Sequence, residues 1–174
     1  MIKRVLWIIK ITFLSIVESF LNFLPEGAYG DLARGYFLGL QLKQKGKKLK
    51  VSRYVKVLHP KKLVVGDNVY LGYGAWVNAQ YGVSISSNTM LGPYVVIASS
   101  NHEFCKTDMS FFSKSQGNHI SIGEGSWLGT RVVVTSNGCI GNYCLIAANA
   151  TITRNIPDNS KVILQNQIIG KVYE

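Results

Sequence analysis

At 174 residues, the chain is long enough for one hydrophobic core and too short for two domains of ordinary size. Hydrophobic residues make up 47% of it, which excludes a disordered polymer, and 17 glycines favour many tight turns and a β-rich fold over long helices. The net charge of +10 suits an anionic partner, and nucleic acid, an anionic membrane surface or a phosphorylated ligand would each serve.

The first 24 residues are apolar and have the pattern of an amphipathic helix. One face carries Ile2, Val5, Leu6, Ile9, Phe13, Ile16, Val17, Phe20 and Leu24, and the opposite face carries Lys3, Arg4, Ser15, Glu18 and Asn22. Such a helix lies on a bilayer or packs on protein of its own oligomer. A signal peptide or a membrane span is a third alternative, which the charges of Lys10 and Glu18 disfavour.

Nine basic side chains fall between residues 43 and 62, so the positive charge is local. This run is either a solvated connector or a surface for an anionic partner. No groove-reading motif accompanies it, and we therefore expect no nucleic-acid binding.

A six-residue repeat dominates the rest of the chain and predicts a β-helix. Twelve aliphatic anchors recur in four groups of three, at Val65, Leu71 and Val77; Ile85, Leu91 and Ile97; Ile122, Leu128 and Val134; and Ile140, Ile146 and Ile152. Small residues follow almost all of these anchors and allow close stacking of the backbone. Three hexads make one triangular coil, which gives four coils at residues 65–82, 85–102, 122–139 and 140–157.

Two insertions, Val83-Ser84 and the nineteen residues 103–121, both follow a third hexad. We therefore expect both to leave the prism at the same corner. An ordinary β-sandwich has no reason to place its interruptions in this way.

The repeat, together with the segments Ser99–His102 and Ile120–Gly129 on either side of the long insertion, resembles the hexapeptide-repeat acyltransferases. Within them it resembles the sugar O-acetyltransferases related to maltose and galactoside acetyltransferase and to the enzymes that decorate capsule or lipopolysaccharide. The resemblance implies an all-β, left-handed parallel β-helix with an N-terminal amphipathic helix and one long loop. Residues 1–44 would be a helical, membrane-associated segment, and residues 45–174 the acyltransferase domain with loop 103–121.

The resemblance implies transfer of an acetyl group from acetyl-CoA to a sugar hydroxyl, with His102 as the general base, because a neutral imidazole suits removal of the hydroxyl proton. Asn78 and Asn101 would form the substrate-binding group, in which Asn78 would contact the acceptor and Asn101 would either orient His102 or end its strand. Direct transfer is expected, because no serine or cysteine stands beside His102 as a nucleophile.

For the coenzyme, the family pattern places Trp127 near the thiol, and the backbone of Gly129, Thr130, Ala147 and Ala148 along the pantetheine arm. Thr153 and Arg154 belong to a segment that resembles the family's Thr-Lys-Asp-Ile-Pro, whose basic residue meets phosphates. Residues 164–171 lack the proline that the family commonly has there, which puts the adenine end of the site in doubt.

The loop carries Phe104, Phe111 and Phe112 and is expected to cover a neighbouring subunit of a homotrimer, the number three coming from the family. The acceptor fits a saccharide, lipid-linked or polymeric, at the cytoplasmic face of a membrane in surface-polysaccharide biosynthesis. Alternatives are an antibiotic acetyltransferase, a non-catalytic assembly subunit and a zinc enzyme like the γ-class carbonic anhydrases. The spacing of His59, His102 and His119 does not fit that zinc family, so no metal is expected.

Overall fold

A computed structural model describes residues 2–112 and 114–163. Two helices come first, α1 (Ile2–Leu21) and α2 (Ala28–Gly39). In the described residues the strands then follow in chain order: β1 (Gln44–Lys45), β2 (Lys50–Val51), β3 (Lys56–Leu58), β4 (Leu63–Val65), β5 (Tyr70–Leu71), β6 (Trp76–Asn78), β7 (Val83–Ile85), β8 (Met90–Leu91), β9 (Val96–Ala98), β10 (Ser100–His102), β11 (Ser115–Gly117), β12 (Ile120–Ile122), β13 (Trp127–Leu128), β14 (Val133–Val134), β15 (Leu145–Ile146), β16 (Thr151–Ile152) and β17 (Lys161–Val162).

Three parallel sheets form the sides of a prism. Sheet A contains β1, β4, β7 and β12, sheet B contains β2, β5, β8, β13, β15 and β17, and sheet C contains β3, β6, β9, β14 and β16. The chain passes through sheets A, B and C in turn, so one circuit makes one coil. Neighbouring sheets meet at three corners of the prism, which we call the A/B, B/C and C/A corners. Strands β10 and β11 form a separate antiparallel hairpin.

The predicted anchors form the core. All twelve are at most 2% exposed. They also stack in the predicted register, as when Leu128 pairs with Leu91 on one side and Ile146 on the other. Each buried aliphatic side chain contributes about 1.5–3 kcal/mol relative to its exposed state, so the repeat specifies both the fold and much of its stability.

The lysine-rich segment is not a connector, which corrects one of the two interpretations of that run. It forms a complete coil through β1, β2 and β3, in which Lys45, Val51 and Val57 take the anchor register beneath the first predicted coil. The sequence pattern missed this coil because a lysine replaces the first aliphatic anchor. Ile156 falls within the predicted fourth coil, 140–157, but it pairs with Ile140 and thus begins a further partial coil, in which Val162 pairs with Ile146.

The short insertion does not leave the prism. Val83 and Ser84 lie within β7, and Val83 is buried beside Leu63 and Ile120. The two extra residues therefore lengthen a strand of sheet A, and only the long insertion projects from the C/A corner. That insertion is partly ordered as the hairpin β10–β11, and its last two residues, Ile120 and Ser121, already belong to β12.

Arg34 attaches the helices to the first coil. Its buried guanidinium donates to the backbone oxygen of Val51 at 2.8 Å and to that of Leu21 at 3.0 Å, and it pairs with Asp31 at 2.6 Å. A buried guanidinium with carbonyl and carboxylate partners is satisfied, whereas loss of those partners would leave a costly unpaired charge.

The amphipathic helix predicted at the N-terminus is confirmed, and it docks through its polar face. Glu18 accepts a hydrogen bond from Lys56 at 2.9 Å, and the side chain of Asn22 accepts one from the backbone N–H of Tyr54 at 3.0 Å. The apolar face points away from the β-helix, with Phe13 63%, Ile16 62% and Phe20 70% exposed. Among the described residues, no helix is both long and apolar enough to cross a bilayer.

Candidate active site

The imidazole of His102 stands on the hairpin at the C/A corner. His102 is the last residue of β10, it is exposed, and it pairs across the hairpin with Ser115 of β11. Its ring makes no hydrogen bond or ion pair with any described residue. A base with both ring nitrogens accessible is available for proton transfer to a bound ligand.

Polar side chains of the coil below contact the same hairpin face. Ser100 and His102 point to one side because side chains alternate along a strand, and Ser115 shares that side as the cross-strand partner of His102. Asn78 Nδ2 donates to Ser100 Oγ at 2.8 Å, and Gln80 Nε2 donates to Ser115 Oγ at 2.8 Å. The structure therefore brings Asn78 and the predicted base to one polar face.

Asn78 keeps part of its hydrogen-bonding capacity free. Its Oδ1 accepts from the backbone N–H of Gln80 at 3.1 Å, while one N–H of its amide goes to Ser100. A carboxamide has two N–H donors, so the second remains for a ligand.

Asn101 lies on the opposite hairpin face from His102, because the two residues are adjacent in one strand. Its Oδ1 accepts from the backbone N–H of His102 at 3.0 Å. The contact supports the local backbone and leaves the imidazole of His102 without a partner from this residue.

Four residues predicted to line the coenzyme come together at the B/C corner. Gly129 and Thr130 follow β13, and Ala147 and Ala148 follow β15 in the next coil. A Cβ on Gly129 would lie 2.7 Å from the backbone nitrogen of Ala148, so glycine is required for the coils to stack here. The N–H groups of Gly129 and Ala147 donate within the β-helix at 2.8 and 2.9 Å. Those of Thr130 and Ala148 have no acceptor in the described part of the chain.

Two of the other three predicted coenzyme residues, Thr153 and Arg154, lie at a different corner. Thr153 follows β16 at the C/A corner and occupies the same position in its coil as Asn78 does in its own. Its coil lies two beyond the coil that leads to His102. Two coil spacings are about 10 Å. Arg154 beside it is exposed and has no ion pair with the described residues. One prism side, about 15 Å of extended strand, separates this corner from Thr130.

Trp127 projects outward from sheet B and is 51% exposed. It pairs in register with Met90 and Leu145, which extends an apolar stripe along the sheet beside the B/C corner. It therefore belongs with the Thr130 group of residues and not with the hairpin that carries His102.

The three histidines do not assemble in one place. His59 ends the first coil in a left-handed turn conformation, His102 is on the hairpin, and His119 contacts Ser84 on sheet A. No group of three histidine, cysteine or acidic side chains that could hold a metal ion forms within residues 2–112 and 114–163.

The sequence has acetyltransferase relatives. It is 26% identical over 95 residues to the galactoside O-acetyltransferase of Escherichia coli K12, covering 55% of this chain and 46% of the relative. It is 23% identical over 126 residues to the putative colanic acid biosynthesis acetyltransferase WcaF of the same organism, covering 72% and 67%. The chain thus spans about half the length of the galactoside enzyme that it matches, and no protein-family profile matches it.

Solved structures share the architecture. A maltose O-acetyltransferase from Clostridium difficile 630 superposes with a TM-score of 0.75 at 23% identity, over 86% of this chain and 79% of that one. A hexapeptide-repeat acetyltransferase from Vibrio cholerae in complex with acetyl-CoA superposes with a TM-score of 0.69 at 16% identity, over 87% and 82%. This chain has the fold of the hexapeptide-repeat acetyltransferases.

The hexapeptide-repeat fold confirms the predicted left-handed parallel β-helix with its N-terminal helix and long loop. The segment that departs from the family pattern, residues 164–171, lies outside the described residues, as does the rest of the C-terminus.

Three residues of the polar face around His102 were not predicted from the sequence, namely Gln80, Tyr81 and Ser115. Gln80 and Tyr81 both contact Ser115, the side chain of Tyr81 by a hydrogen bond from its hydroxyl to the backbone oxygen. Their position after Asn78 was a usable signal, because they stand at the corner from which the hairpin projects. The partner Ser115 had no such signal, since the hairpin register is not encoded in the six-residue period.

Proposed function

We propose that this chain is an acetyl-CoA-dependent O-acetyltransferase that acts on a sugar hydroxyl. The observation that carries the proposal is the imidazole of His102, which has no partner among the described residues and stands on the hairpin face that packs against the amides of Asn78 and Gln80. The acetyltransferase relatives and the acetyl-CoA complex of a structure with this fold support the donor and the reaction class.

In the proposed reaction, neutral His102 removes the proton of the acceptor hydroxyl as its oxygen attacks the thioester carbonyl. The tetrahedral intermediate collapses with cleavage of the C–S bond, and the imidazolium returns its proton to the departing thiolate. The N–H groups of Thr130 and Ala148, which have no acceptor within residues 2–112 and 114–163, are the donors that we assign to the oxyanion or to the amide oxygens of the pantetheine arm. Asn78 orients the acceptor with its free N–H.

The coenzyme is proposed to lie along the B/C corner, with Trp127 beside the thiol end and small residues allowing close approach of the pantetheine. Arg154 and Thr153 would bind phosphate at the C/A corner, where the guanidinium of Arg154 is unpaired among the described residues.

This division between corners supports a homotrimer with sites between chains. In such a trimer, an extended ligand along the B/C corner of one chain would also contact the C/A corner and the hairpin of the neighbouring chain. The hairpin of each chain has the exposed apolar side chains for such a contact, with Phe112 fully exposed and Phe111 62% exposed.

We further propose that α1 lies on an anionic membrane surface and that the acceptor belongs to surface-polysaccharide biosynthesis at the cytoplasmic face. The helix turns its apolar side outward, and the basic first coil carries charge complementary to anionic lipid. The relation to the putative colanic acid acetyltransferase supports the choice of acceptor.

The test follows release of free thiol from acetyl-CoA in the presence of a panel of mono- and oligosaccharides. His102→Ala should lower kcat by about 10²–10⁴-fold, the usual contribution of a positioned general base. His59→Asn is the matched control, because asparagine tolerates the left-handed conformation at that position, and it should retain activity.

Equal activity of the two variants would refute the role of His102. Absence of coenzyme A binding would instead favour a non-catalytic β-helix subunit, and acetylation of aminoglycosides or other antibiotics in place of saccharides would favour a resistance enzyme.

A further inference from the structure

Besides the polar face that carries His102, the structure has a polar groove next to the hairpin, on the outer side of sheet A. It has a volume of about 500 Å³, and its walls include Lys43, Lys61, Lys62 and His119. No acidic side chain of the described residues lines it. Several positive charges in one concave surface concentrate the local field and attract anions.

The lysine ammonium groups of the groove have few hydrogen bonds and no ion pairs with the described residues. Lys62 Nζ donates to the backbone oxygen of Gln80 at 2.7 Å, which still leaves it two N–H donors. The ammonium groups of Lys43 and Lys61 form no hydrogen bond or ion pair with the described residues. An ammonium group is an effective point-charge ligand for phosphate.

His119 is held over the groove by its neighbours. Its Nε2 lies 3.0 Å from Ser84 Oγ. Gly82, with φ at +96°, allows this position, since a Cβ there would lie 2.5 Å from Nδ1 of the imidazole. The ring and the Ser84 hydroxyl thereby add hydrogen-bonding groups to the lysines.

The groove is continuous with the face that carries His102. Gln80 and Tyr81 line the groove, and both contact Ser115, the cross-strand partner of His102. Directly paired residues have Cβ atoms about 5 Å apart, so the groove begins close to the imidazole. A ligand with its hydroxyl at His102 can extend a second group among the lysines.

We propose that this groove binds a phosphate or diphosphate group of the acceptor, so that the substrate is a phosphorylated saccharide, such as a glycosyl phosphate or diphosphate. The identity of the acceptor rests on the proposed acetyl transfer, whereas the existence of the anion site does not depend on that function. It also gives the basic first coil a ligand, because Lys43, Lys61 and Lys62 belong to that coil and its connection to the next.

The anion site is tested by titrating the full chain with inorganic pyrophosphate in a calorimeter. The double variant Lys43→Gln/Lys61→Gln should raise the Kd at least about tenfold, because two charge-assisted contacts are lost. The control Lys47→Gln/Lys106→Gln removes the same charge outside the groove and should leave the Kd unchanged. Equal weakening in both variants, or no saturable binding by the unaltered chain, would overturn the proposal.

A second titration with coenzyme A distinguishes the two sources of phosphate. The groove variant should bind coenzyme A as the unaltered chain does. If it loses that binding, the groove belongs to the phosphates of the coenzyme and the assignment to the acceptor is wrong.

The acceptor class is tested by comparing a hexose with its 1-phosphate in the thiol-release assay. We expect kcat/KM to be at least about tenfold higher for the phosphate, and we expect the groove variant to lose this preference. Transfer to both acceptors with no preference refutes a phosphorylated substrate but leaves the acetyltransferase intact. Pyrophosphate binding without any transfer to any saccharide refutes the acetyltransferase and leaves the anion site.

Discussion

Mixing two inactive variants tests whether the active site lies between chains. His102→Ala removes the proposed base at the C/A corner. Ala148→Trp fills the space over the free N–H groups at the B/C corner. Both residues are exposed, so neither change disturbs the core. Each variant alone should lose activity, by about 10²-fold or more for the histidine variant.

The expected recovery of activity follows from the proposed placement of the site between two chains. If the site lies between chains as proposed, a trimer assembled from equal amounts of the two variants has an intact site wherever an Ala148 corner of one chain meets a His102 hairpin of its neighbour. Each condition is met with a probability of about one half, so about a quarter of the sites should be restored. A site built within one chain would contain one defect in every case and would recover nothing.

The assay mixes the two proteins, unfolds and refolds them together, and measures thiol release at fixed total chain concentration. A refolded sample of each variant alone is the control for recovery of the fold. Activity that stays at the level of the separate variants, in mixtures shown by light scattering to contain trimers, would refute the intersubunit site.

Further outcomes follow from single contacts. Leu128→Ala should lower the free energy of unfolding by about 2–5 kcal/mol in chemical denaturation, whereas Met90→Ala, at the outward position of the neighbouring strand, should cost far less. Asn78→Ala should raise KM for the saccharide and leave the Kd of coenzyme A unchanged by calorimetry, and a change confined to coenzyme A would contradict its assignment. Phe13→Ser/Phe20→Ser should abolish co-sedimentation with phosphatidylglycerol vesicles, and retained sedimentation would show that α1 is not the membrane contact.

The structure shows that the basic segment is a coil of the β-helix, which the six-residue pattern did not indicate. By sequence, its lysines were counted as a charged run, and the aliphatic period was not visible because Lys45 stands at an anchor position. Pairing with the next coil supplies the missing information, since Lys45 lies in register with Val65. A single residue type at one position therefore hid a whole coil from a pattern that depends on side-chain identity.

The candidate site shows the same contrast. His102 and Asn78 were identified from their place in the repeat together with the family resemblance, and their common face follows once the hairpin projects from the C/A corner. Thr130 and Arg154 lie at different corners because one follows the second anchor of its coil and the other follows the third, which the roles carried over from the family did not take into account. The local hairpin register, which sets Ser115 opposite His102, was equally invisible.

What the sequence determined by itself is the coiled architecture, because a six-residue period of buried aliphatic side chains leaves the backbone one efficient way to stack. What only the tertiary structure decided is which polar groups meet. Neighbouring coils bring together residues about 20 positions apart, such as Asn78 and Ser100, and the hairpin brings Gln80 to Ser115, 35 positions away. Hydrophobic burial is read from composition and period, whereas these polar contacts depend on register and on the direction in which an insertion leaves the prism.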